Sequence, residues 1–157
     1  MADDREGSSS DISASELDEL THAELLMLYQ DSAVSVRFAR ERQWKLVGAA
    51  LFLFAAIVAV PELVDISPFG AKGLVLAGFL IGASAIYVLV VYQVWQNAEL
   101  RRMQTIGGRF SNIFAQLGGH NAAREGKLHG YIILFFMIAA IGLGNTLVVL
   151  LLSRFYL

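Results

Sequence analysis

Two stretches of 26 residues, Gly73 to Ala98 and Leu128 to Ser153, carry no formally charged side chain. At about 1.5 Å rise per residue, a helix of that length reaches roughly 39 Å, which exceeds the ~30 Å hydrocarbon core of a bilayer. The first run is bounded by Lys72 and Glu99, the second by Lys127 and Arg154. Each has the length of a transmembrane helix with room to tilt. Composition points the same way: 56% of residues are hydrophobic and 17% charged, where soluble domains average about a quarter charged. The sequence predicts an all-α integral membrane protein with three transmembrane helices and further cytoplasmic helices, one N-terminal and one between spans.

The third span is the first in chain order and the weakest. Between Lys45 and Glu62 there are 16 uncharged residues, equivalent to about 24 Å of helix. Lys45 and Glu62 reach the two interfaces by snorkelling, and Trp44 fits an interfacial ring. A re-entrant segment is the alternative. Pro61 is expected to end or kink this helix, and the link from Pro61 to Lys72, with Asp65, Ser67, Pro68 and Gly70, reads as a short turn. Spans are thus expected at about 44–61, 73–97 and 128–153, within a membrane domain covering 46–153.

Charge is distributed unevenly along the chain. Residues 1–31 hold nine acids and one base, whereas residues 32–157 hold eleven bases and five acids. Residues 1–14 are acidic, Ser-rich and short of anything to bury, so a disordered tail is expected, without a cleaved signal. Ser13, Ser15 and Thr21 each precede an acid by three residues, the capping-box spacing, and predict a helix start near Ser15 or Thr21. With no Gly or Pro between Ser15 and Gly48, residues 15–45 read as a cytoplasmic helix continuing into the membrane.

Basic residues near span ends set the orientation. Arg37, Arg40, Arg42 and Lys45 precede the first span, and Arg101, Arg102, Arg109, Arg124 and Lys127 lie between the second and third, against Lys72 and Arg154 on the other side. The positive-inside rule then puts the N-terminus and the long connection in the cytoplasm and the hairpin and C-terminal end outside, in a plasma or bacterial inner membrane. Trp44, Tyr92, Trp95 and Tyr131 fall at the inner interface.

Small residues within the spans nominate helix contacts. Gly78 and Gly82 form a G-x-x-x-G, and Gly142 and Gly144 lie in the last span beside Asn145, whose amide must face protein or water because facing lipid is costly. The segment 99–127 is amphipathic: Ile106, Phe110, Ile113, Phe114 and Leu117 share one helical face, with Arg109 at its polar edge. That face suits a membrane surface or a protein partner.

Little chemistry is available to such a chain. Cysteine is absent and His22, His120 and His129 form no ligand-spaced pair, so neither metal nor cofactor is expected. The glycine pairs lack the Lys and Ser or Thr of a phosphate-binding loop, and no charge lies mid-span as a proton carrier would need. No catalytic residue, nucleic-acid contact or small-molecule substrate is evident. The expectation is a small non-enzymatic scaffold or accessory subunit that works by helix association, with the bilayer and a homo-oligomer or another membrane protein as partners. The alternative is an oligomeric pore or membrane-perturbing effector in which Asn145, Thr146, Ser84 and Tyr87 line a path.

Overall fold

The computed structural model describes residues 18–109 and 120–156. They form three long helices, α1 (Glu19–Leu63), α2 (Pro68–Gly107) and α3 (His120–Tyr156), and no strand occurs among the described residues. At about 1.5 Å per residue the 45, 40 and 37 residues of these helices reach roughly 68, 60 and 56 Å. All three contain a segment long and apolar enough to cross a membrane.

Helix ends follow local chemistry and differ in places from expectation. The first helix starts with Asp18 as its cap, between the two expected positions: its carboxylate accepts from the Thr21 N–H at 3.4 Å. A carboxylate outdoes a serine hydroxyl here because it also meets the positive end of the helix dipole. Ser13 and Ser15 lie outside the described residues. The Thr21 hydrogen bonds hold the Asp18 carboxyl below its ordinary value of 3.8. The cap is therefore in place above that value and is lost as pH falls through the lowered pKa.

Pro61 neither ends α1 nor leaves a long link. The helix continues through it to Leu63, and the Val64 N–H closes on the Val60 carbonyl at 3.1 Å. Proline removes one N–H and crowds one carbonyl, but a single final turn survives because Pro61 is buried against the bundle. The second helix begins at Pro68, five residues before the expected span, since Ser67 accepts from the Gly70 N–H at 3.2 Å and proline is preorganised for the first helical position. The link shrinks to residues 64–67, which forces α1 and α2 into an antiparallel hairpin.

The first part of the amphipathic segment, residues 99–107, prolongs α2, which stops at Gly107 with Gly108 as its cap. Residues 120–127 already belong to α3. Packing of α3 against both members of the hairpin gives an up-down-up bundle. Its core runs through Val47, Ala50, Phe54 and Ile57 of α1, Ala85 and Leu89 of α2, and Met137, Ile141, Val148 and Leu152 of α3.

Candidate functional site

The seam between the three helices holds Gly78, Gly82, Gly144 and Asn145. At its centre, Gly82 lies where an added Cβ would stand 3.6 Å from Phe54 Cζ and 3.8 Å from Ile141 Cγ2. One turn away, a Cβ on Gly78 would stand 3.2 Å from Asn145 Oδ1 and 3.5 Å from Val148 Cγ1. The G-x-x-x-G of α2 is thus a notch that receives side chains of α1 on one flank and α3 on the other. Gly144 of α3 is tighter still: a Cβ would come 2.7 Å from Phe54 Cδ2 and 3.0 Å from Leu51 Cδ2. Only a hydrogen fits there. Gly142 has nothing within 4 Å of its Cβ position and is exposed.

Asn145 projects into this notch. Its Oδ1 is buried and has no hydrogen-bond partner among the described residues, so the α-hydrogens of Gly78 and the edge of Gly82 form its surroundings. A Cα–H···O contact, common where helices approach closely, is a weak but real compensation. The neighbouring Thr146 turns its hydroxyl back onto the Gly142 carbonyl of its own helix at 2.9 Å.

A second polar layer lies toward the N-terminal end of α1. Gln43, Gln93 and Gln96 are 3%, 5% and 4% exposed, unusually deep for amides. The Gln96 Nε2 donates to Gln43 Oε1 at 2.7 Å, and the Gln43 Nε2 donates to the Leu89 carbonyl at 3.2 Å. Gly130 lets the Gln93 amide close on α3, its Cβ position being 3.3 Å from Gln93 Nε2. Beside them, Asn97 Nδ2 donates to the Tyr131 hydroxyl at 3.0 Å. Charge counting passes over this layer because amides are neutral. The available signal was Gln93 and Gln96 at i and i+3, both polar on one face of an apolar helix.

These contacts fix the register. Phe54 with Gly82 and Ile57 with Gly78 continue the antiparallel pairing of Gln43 with Gln96. Extended to the loop end, the same register brings Glu62 of α1, Lys72 of α2 and Arg154 of α3 to one level, all exposed. At the opposite end it brings together Trp44, Lys45, Tyr92, Trp95 and Tyr131.

Of the amphipathic face, Ile106 is 7% exposed in the bundle and Arg109 is exposed. Phe110, Ile113, Phe114 and Leu117 lie outside the described residues. No group of three or more His, Cys, Asp or Glu is arranged to hold a metal among the described residues. An open, almost wholly apolar groove of about 340 Å³ runs between α1 and α2, lined by Leu46, Ala49, Leu53, Leu80, Ser84 and Val88 among others. Comparison with family models, with curated proteins and with solved structures found no match.

Proposed function

We infer that the chain is an integral membrane protein crossing the bilayer three times, N-terminus and α2–α3 connection in the cytoplasm, and that it serves as a non-enzymatic scaffold or accessory subunit. One observation carries the membrane part. Between the level of Lys45 and that of Glu62, Lys72 and Arg154, the outer surface is apolar on every helix: Phe52, Phe79, Tyr87, Phe135, Phe136 and Leu143 are 74%, 54%, 71%, 67%, 65% and 68% exposed. Less than a third of each apolar window is buried inside the bundle. A water-facing protein rarely exposes so much contiguous apolar surface. Along α1 the two charged levels are separated by 17 residues, about 26 Å, close to the hydrocarbon thickness.

The scaffold reading draws on how the polar groups are used. Gln43, Gln96 and Asn145 sit inside the helix seam, Thr146 bonds its own backbone, and Ser84 opens onto the α1–α2 groove. Within one protomer the candidates for a pore lining point to different faces. Association of helices is what such a seam supports best, and its apolar exterior leaves room for other membrane helices.

Asn145→Leu discriminates the readings. As a seam residue Asn145 fills the close notch beside Gly78 and Gly82, where a branched leucine overpacks at a cost of about 1 to 3 kcal/mol, so its replacement lowers thermal stability or loosens assembly, and liposomes with either form pass no ions. A pore residue would instead leave assembly intact and change ion flux; flux through the wild-type protein in liposomes would sink the scaffold reading.

A further inference from the structure

Five arginines form a band just outside the amide layer. Arg37, Arg40 and Arg42 of α1 and Arg101 and Arg102 of α2 are all exposed. Because the Gln43–Gln96 hydrogen bond sets these helices antiparallel, residues preceding Gln43 lie level with residues following Gln96. Helical rise then puts all five within about 9 Å of the amide layer along the bundle axis. Two acids share the level: Glu41, whose carboxyl the hydrogen bond and charge of Lys45, with the charge of Arg42, keep below the ordinary value, and Glu99. Against them stand Lys45 and the five arginines, which leaves the band net positive. The Arg42 guanidinium is held 4.8 Å from the Phe38 ring centroid, a stacking that restrains its direction.

We propose that this band selects anionic phospholipid headgroups of the leaflet it enters. The proposal rests on the membrane reading above, which puts Trp44 and Trp95 at the interface and the arginines at and just beyond the headgroup layer, about 5 to 7 Å deep on each side of the hydrocarbon, from where their long side chains reach back to the phosphates. Guanidinium groups bind phosphate oxygens through paired N–H donors, and a choline headgroup screens its phosphate with its own cation. A belt on two helices needs no single pocket, since lipids surround the bundle.

The two tryptophans of the chain, Trp44 and Trp95, are reporters at the right depth, 57% and 39% exposed. The full-length protein is reconstituted in liposomes containing trace dansyl-labelled phosphatidylglycerol or dansyl-labelled phosphatidylcholine, and energy transfer from tryptophan is measured. Labelled phosphatidylglycerol is expected to occupy the protein's lipid shell about fivefold in excess of labelled phosphatidylcholine, the factor one well-placed base supplies near an anionic leaflet. A variant with all five arginines, Arg37, Arg40, Arg42, Arg101 and Arg102, changed to Gln should bring the ratio near one while its transfer from phosphatidylcholine, which reports correct insertion, stays at the wild-type value. Equal transfer from both labels in the wild type overturns lipid selection and leaves the membrane reading standing. No transfer from either label overturns the membrane reading itself. A preference abolished by inorganic phosphate but not by chloride at matched ionic strength would mean a free-phosphate site and would also overturn the proposal.

Discussion

Gly144→Ala will destabilise the protein by about 1 to 3 kcal/mol, the range for overpacking a filled core. The added methyl would lie 2.7 Å from Phe54 Cδ2 and 3.0 Å from Leu51 Cδ2. Phe54 is 3% exposed and already fills the Gly82 notch, so its ring has no free direction in which to retreat. Either α3 moves off α1 or the ring leaves its preferred rotamer. Gly142→Ala, two residues away, adds the same methyl to open space inside a helix and should raise stability by about 0.5 to 1 kcal/mol, the helix-interior advantage of alanine over glycine. Unfolding titrations in mixed micelles check the pair. A second-site Phe54→Leu should recover part of the Gly144→Ala loss by removing the ring edge. Equal behaviour of the two alanine variants would mean that α1 and α3 do not approach at Gly144.

The amide layer should show strong coupling in a double-mutant cycle. Gln43→Leu leaves the Gln96 Nε2 without its acceptor, and Gln96→Leu strips the Gln43 Oε1 of its donor, in a site where both residues are nearly inaccessible. A buried polar group left unpaired costs about 1 to 3 kcal/mol, whereas replacing both partners with apolar groups of similar shape comes close to neutral. The double variant should therefore be more stable than the sum of the single losses predicts, by about 0.5 to 3 kcal/mol. Additive losses, measured in the same micelle titration, would show that the two amides do not depend on each other.

Much of the architecture was legible because hydrocarbon-length runs tolerate few interpretations: the two 26-residue runs and the shorter segment after Lys45 all lie within long helices. Helix ends were less legible. Ser67-Pro68 is a start signal, but it sits inside what reads as a turn, and Asp18 competes with serine and threonine caps nearby. At Pro61 tertiary burial outweighed the local penalty. Register was not legible at all, since it depends on how Phe54 meets Gly82 and Gln43 meets Gln96 across dozens of residues of sequence. Asn145 and the Gly78–Gly82 pair each stand out within their own runs. Nothing in the sequence says that they lie at the same depth.

Membrane crossing with a cytoplasmic N-terminus is the claim on which the lipid band and the scaffold reading both depend. The chain has no cysteine, so single thiols can be introduced without background at Ala23, exposed near the start of α1, and at Asp65, exposed in the α1–α2 link. A membrane-impermeant thiol reagent applied to intact cells should label Asp65→Cys and should reach Ala23→Cys only after permeabilisation. Labelling of Ala23→Cys in intact cells with protection of Asp65→Cys would reverse the orientation, and protection of both until permeabilisation would contradict the crossing of α1 itself.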